Sequence, residues 1–251
     1  MKYPDFEKSL DRQIDALMED WSKVSDDYFT TDGFYPYYTT QRYRILVLAR
    51  ESRGLSGCDY IPILHDAYKQ NRIADRHINM DMFHRRIFFL IYGLLKGFPE
   101  WSEVPYPDQM TSIFATPDGI SFAFMNISKI SNESPNYQAN WANILRSMTD
   151  ATSGDRNFIR EEVALLAPDV IIGSGVDDLF RVLGDGELLS SGALMSSYLL
   201  RISDKPVLFF SYKYHFTATK GAGNVGLKDY EGFYLPIKEA FLKYRHVIEE
   251  R

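Results

Sequence analysis

Four short stretches of the chain are almost continuously apolar: Ile45 to Ala49, Phe122 to Ile127, Val170 to Ile172 and Val207 to Phe210. Hydrophobicity that does not alternate marks strands buried on both faces, as in a parallel sheet covered by helices. Parallel strands need crossovers, and the intervals predict them as helices over 61–70, 83–96, 140–148, 158–166, 178–183 and 193–200. Phe83, Ile87, Leu90, Ile91 and Leu94 recur at helical spacing, as do Trp141, Ile144, Leu145 and Met148. Helices are also predicted at the ends. Phe6, Leu10, Ile14, Leu17 and Trp21 follow Pro4-Asp5, and Ile237, Phe241, Tyr244 and Ile248 follow Pro236 at a first-turn position. The pattern predicts an α/β fold, a three-layer α/β/α arrangement around a central, mostly parallel four-stranded sheet. No linker or internal repeat breaks the chain, which reads as one domain over 1–251, with 1–40 an N-terminal helical extension and 71–120 an insertion.

Composition narrows the class. With 251 residues, 45% hydrophobic and 25% charged, the chain can bury a core and is neither disordered nor fibrous. The single cysteine, Cys58, rules out an internal disulfide and a four-thiolate zinc or iron–sulfur site. No motif asks for a metal or cofactor. The start of the chain has no apolar stretch behind a basic residue, so no secretory signal is read and a cytoplasmic location is expected. Phe88 to Leu95 is far short of the roughly 18 residues of a membrane span.

The formal net charge of −6 argues against electrostatic coating of nucleic acid. The acidity is local, however. Residues 1–33 carry 4 basic and 9 acidic side chains and 155–190 carry 3 and 8, whereas 41–86 carry 9 and 5 and 201–228 carry 5 and 1. The two basic stretches are either solvated faces or the rim of a site for an anion.

Ligands of such folds bind beyond the carboxyl ends of the strands. The four segments there are Arg50 to Gly57, Asn126 to Asn136, Gly173-Ser174-Gly175 and Ser211 to Thr217. Glu51, between Arg50 and Arg53, would stay ionised and could orient or deprotonate a water; the alternative is a loop ion pair. Ser52, Gly54, Ser56 and Gly57 could offer amides to a phosphate, although no phosphate-loop signature is present. Asn126 offers the donor and acceptor needed to read a base edge, or else caps a turn. Lys129 is either a substrate contact or surface charge. His215, in the basic and aromatic run Tyr212 to Phe216, is the imidazole best placed to donate to a developing oxyanion, against a structural role. Arg50, Ser52, Arg53, Asn126, Lys129 and Ser174 are thus candidate substrate contacts, with Glu51 and His215 the candidate catalytic pair.

Gly221 to Gly226 fits G-x-G-x-x-G, but no strand leads into it and too little chain follows for a dinucleotide unit, so it reads as a loop. There is no G-x-S-x-G, H-E-x-x-H or Walker lysine motif.

Taken in order, these segments resemble the uracil-DNA glycosylase superfamily, over about 44 to 217. Arg44 to Gly54 looks like its first strand and water-activating loop, and Phe124 to Lys129 like the strand that carries the base-reading Asn. Glu161 to Gly175 is similar to its helix-then-strand segment leading to a glycine, and Phe209 to His215 to its last strand and histidine loop. The resemblance implies that Glu51 activates water, Asn126 hydrogen-bonds the base and His215 stabilises charge on the departing base, with DNA or a nucleobase or nucleotide as partner. Such a division of labour suits an oxocarbenium-like transition state. Two departures stand out. The family's first loop usually carries glycine and then proline, whereas Ala49-Arg50 precede Glu51 and no proline occurs in the loop between Glu51 and Pro62; its histidine is usually followed by Pro-Ser, whereas Phe216-Thr217 follow here. Those residues help grip the DNA backbone, so their loss bears on excision more than on fold. A non-catalytic binding module on the same fold, and an unrelated α/β enzyme acting on a small phosphorylated substrate, remain the alternatives.

Overall fold

The four apolar runs become the inner strands of one sheet. The computed structural model describes residues 1–25, 28–135, 138–184 and 186–249, with the backbone alone of 177 and 178. Its strands are β1 (Gly33–Phe34), β2 (Ile45–Arg53), β3 (Arg72–Ile73), β4 (Arg76–His77), β5 (Ala123–Asn132), β6 (Val170–Ser174), β7 (Gly186–Ser191), β8 (Met195–Ile202) and β9 (Lys205–Tyr212). Its helices are α1 (Lys8–Ser22), α2 (Tyr60–Lys69), α3 (Met82–Lys96), α4 (Pro107–Met110), α5 (Trp141–Ala151), α6 (Phe158–Leu166), α7 (Leu235–Tyr244) and α8 (His246–Glu249). Asn136, which closes the second strand-end segment, lies outside the described residues.

The sheet has seven strands rather than four, in the order β1-β5-β2-β6-β9-β8-β7, and β3 and β4 form a separate small hairpin. Strands β5, β2, β6 and β9 run parallel, while β1, β8 and β7 join antiparallel at the edges. The inner strands are buried on both sides, which explains their unbroken hydrophobicity. Ile45, Val47, Phe124, Val170, Ile172, Leu208 and Phe210 face a core shared with α2, α3 and α7. Leu46, Leu48, Met125, Ile171 and Phe209 face a second core shared with α1 and α6. Each fully buried side chain of this kind contributes roughly 1.5–3 kcal/mol.

Several element boundaries and types differ from the sequence pattern. Residues 193–200 are not a helix: Gly192 donates its N–H to the Met195 carbonyl in a tight turn, and from Met195 onward the chain is strand β8, paired antiparallel with β9. Residues 178–183 are helical as expected, but as part of a 3-10 helix, Asp177–Leu183, ended by Gly184 at φ 123°. Strands β2 and β5 run on through the polar residues predicted as loops, with Glu51 opposite Ser128 and Arg53 opposite Asn132. Helix α1 starts at Lys8, leaving Phe6 58% exposed. Within 71–120, α3 lays Ile87, Phe88, Leu90, Ile91 and Leu94 into the core. Asp81 caps this helix, accepting from the His84 N–H at 3.0 Å, and Gly97 ends it in the left-handed conformation at φ 78°.

Candidate functional site

Strand register places the candidate residues in a row. Asn126 pairs with Ala49, the step after the Leu48–Gly173 pair brings Ala49 level with Ser174, and Ser174 pairs with Tyr212. Because side chains alternate across a strand, Asn126, Ala49, Ser174 and Tyr212 share the face that Val47, Phe124, Ile172 and Phe210 turn toward α3, and Glu51 lies on it two residues further on.

Asn126 is 2% exposed, and neither its Oδ1 nor its Nδ2 has a protein partner. A buried primary amide left in that state costs free energy, on the order of 1–3 kcal/mol per unsatisfied group. Its backbone is firmly held, since its N–H donates to Asp32 Oδ2 at 2.7 Å. Glu51 is oriented rather than free: Oε1 accepts from Asn132 Nδ2 at 2.8 Å and from the Asn140 N–H at 3.1 Å, while Oε2 is buried without a partner. One carboxylate oxygen is thereby fixed, and the other is left as an acceptor.

His215 reaches this row from the turn after β9. Ser174 Oγ accepts from the Phe216 N–H at 2.9 Å, and Gly175, at φ 61°, passes so close that a Cβ there would sit 3.6 Å from the His215 backbone. The imidazole stacks on Phe83 of α3, ring centroids 5.1 Å apart and planes at 20°, and Phe83 in turn meets Phe124 at 6.3 Å. Nδ1 lies 2.8 Å from the Thr217 hydroxyl and 3.3 Å from the Thr217 N–H; accepting from both puts the ring proton on Nε2. Burial first, then the charges of Arg50, Arg53 and Arg86, pull its pKa down to about 4. The ring is a neutral donor at pH 7.

Sequence reasoning missed the residues that hold this histidine in place. Arg86, 2% exposed, donates to three carbonyls of the segment that follows His215: Phe216 at 2.6 Å, Ala218 at 2.8 Å and Leu227 at 2.9 Å. It also donates to Asp229 at 2.8 Å and lies 4.0 Å from the Phe233 ring centroid. Phe83 and Arg86, three residues apart on α3, therefore fix the ring and its loop from one helix face. The available signal was a charged residue inside the apolar run of α3.

The remaining candidates divide. Arg50 lies 5.6 Å from the Trp141 ring centroid, and Arg53 donates to the carbonyls of Ser134 at 3.2 Å and Gln138 at 3.1 Å, so both stand at the rim. Ser52 is buried with its hydroxyl unpartnered, on the opposite side of β2 from Glu51. Lys129 does not join the site. It is fully buried on the far face of β5, bonded to Asp32, 2.8 Å from Glu162 Oε2 and 4.8 Å from the Trp21 ring centroid. A cation on the α1–α6 side must be neutralised there, and Lys129 braces the carboxylate that holds the Asn126 backbone. Gly221 to Gly226 is a loop with a short 3-10 turn at Ala222–Asn224, and Tyr214 accepts the Ala222 N–H at 2.7 Å.

Among the described residues no group of His, Cys, Asp and Glu side chains could hold a metal ion, and no helix is long and apolar enough to cross a membrane. No known family, curated protein or solved structure matches this chain. The class defined by fold and site is an α/β protein with a buried amide, an oriented carboxylate and a neutral imidazole at the carboxyl end of a parallel sheet.

Proposed function

We propose that this chain is a divergent uracil-DNA-glycosylase-like protein that hydrolyses the N-glycosidic bond of a deaminated base in DNA. The observation that carries the reading is Asn126, an amide whose donor and acceptor are both buried and both unpartnered beside the strand of Glu51. An amide is the complement of the imide edge of uracil: Oδ1 accepts the ring N3–H and Nδ2 donates to the adjacent carbonyl. A base read this way must leave the stack.

The rest of the row fits the same chemistry. As the bond from the sugar C1′ to the base nitrogen breaks, its electron pair moves onto the base, and the neutral His215 Nε2–H stabilises the resulting oxyanion. Glu51 Oε2 accepts the proton of a water whose oxygen forms the new bond to C1′. The base anion then takes a proton from solvent. Arg50 and Arg53 supply positive charge toward a phosphate backbone despite the acidity of the whole chain.

Strand scission after alkaline treatment of oligonucleotides containing uracil, hypoxanthine or a mismatch tests the proposal. Base release by the wild type, reduced at least 100-fold in Glu51→Gln, supports it. Salt-dependent binding with no release from any substrate would overturn the catalytic part and leave a binding module.

A further inference from the structure

Helix α5 carries Trp141, Ile144, Leu145 and Met148 at helical spacing, the pattern of a single buried face. It buries Ile144, Ser147 and Ala151 instead, and leaves Trp141 44% and Leu145 55% exposed. These two are one turn apart and form an apolar step on the outer face of the helix. The helix start that carries them is attached to the candidate site. Asn140, its N-cap, donates its N–H to Glu51 Oε1, and the guanidinium of Arg50 faces the Trp141 ring at 5.6 Å. Arg53, held on the carbonyls of Ser134 and Gln138, borders the same segment.

An exposed tryptophan with an aliphatic neighbour on one side and arginines on the other has the composition of a stacking platform. A base has an apolar face on either side and a phosphate at each end, and such contacts are made only to bases that are not already stacked in a duplex. An acidic or neutral peptide would lack the repeated aromatic face, and a second copy of this chain docking by the same face would set arginine against arginine. We infer that Trp141, with Leu145 and Arg50, forms a docking surface for single-stranded nucleic acid leading to Glu51, on which a base flanking the reacting nucleotide stacks. This inference builds on the proposed chemistry of the site and adds to it the strand state of the substrate.

The test uses oligodeoxythymidylate of about ten nucleotides, which contains no uracil and needs no excision to bind. Tryptophan emission is the readout, because Trp21 is buried in the other core and Trp101 packs on Phe89 and Tyr234, leaving Trp141 as the exposed indole. Addition of the oligonucleotide to the full chain quenches emission saturably, more strongly than the same length of duplex does. Trp141→Phe removes the quenching, and Trp141→Ala weakens binding by about five- to a hundredfold as read by anisotropy of a labelled oligonucleotide. Circular dichroism shows both variants folded, as expected for an exposed side chain. Equal affinity in wild type and Trp141→Ala would overturn the inference, as would quenching that persists in Trp141→Phe or a dimer dissociated by Trp141→Glu. Loss of excision with thymidylate binding intact would count against the proposed function alone.

Discussion

Replacing Arg86 tests how the imidazole is held. Its guanidinium sits among five partners: the carbonyls of Phe216, Ala218 and Leu227, the Asp229 carboxylate and the Phe233 ring. Arg86→Ala strands three carbonyls in a buried setting, where each lost charge-assisted bond costs about 1.5–3 kcal/mol. Arg85 still pairs with Asp229 at 2.8 Å, so that carboxylate is not wholly orphaned. The individual losses do not add, because the loop relaxes once the first contact is gone, and a net destabilisation of about 3–5 kcal/mol follows. Arg86→Lys keeps the charge but lacks the fork, and loses about half as much. Urea unfolding at pH 7, with an unchanged denaturant slope, measures both. A second readout separates positioning from bulk stability. In Arg86→Lys under folding conditions, His215 should move off Phe83, gain solvent and titrate closer to its ordinary value by proton NMR. A loss below about 1 kcal/mol for Arg86→Ala, or an unmoved His215 titration in a destabilised Arg86→Lys, would show that Arg86 does not hold the imidazole.

Other variants probe the buried charges. Lys129→Met should destabilise by about 3–5 kcal/mol in the same assay, because it leaves the buried Asp32 carboxylate without its cation. Burial, and then Asp32, push the Glu162 carboxyl well above the usual carboxylate range. A raised carboxyl pKa is a folded state that holds an extra proton, so its contribution is fully present below the ordinary carboxylate value and is lost as pH rises above it. Glu162→Gln, which carries no such proton, should be nearly neutral in stability and should flatten that decline. Burial likewise pulls His84, bonded to the Tyr68 hydroxyl at 2.8 Å, down to about 4. Here the sign reverses: stability is present above the ordinary histidine value of about 6.5 and is lost as pH falls through about 4, by up to about 3 kcal/mol. His84→Gln should remove that part of the acid limb in thermal unfolding followed from pH 7 to pH 4.

The inner strands and most helices were legible because their signals are local. Ile45 to Ala49 and Val170 to Ile172 are apolar on both faces, and Phe158 to Leu166 is helical over the range its pattern predicts. The edges were not. Strand β1 is two residues long and exists only through its pairing with β5, and β7 and β8 are Ser-rich strands of mixed exposure with no continuous apolar run to mark them. The candidate site was half legible. Glu51, Asn126, Ser174 and His215 follow from strand-end position, whereas Phe83 and Arg86 come from a helix packed across the sheet, which spacing along the chain does not reveal. Lys129 could have been placed correctly: three residues beyond Asn126 on a strand, alternation turns it to the opposite face.

Base recognition at this site depends on the unpartnered Asn126 amide reading an imide edge. The most direct measurement follows its side-chain amide resonance by 15N–1H NMR while free uracil, and separately 3-methyluracil, is added. A saturable shift of the Nδ2 signals is expected with uracil, absent in Asn126→Ala, and little or no response to 3-methyluracil, whose N3–H is blocked. Shifts that are equal for both ligands, or no response to uracil at concentrations up to several millimolar, would contradict this mode of recognition.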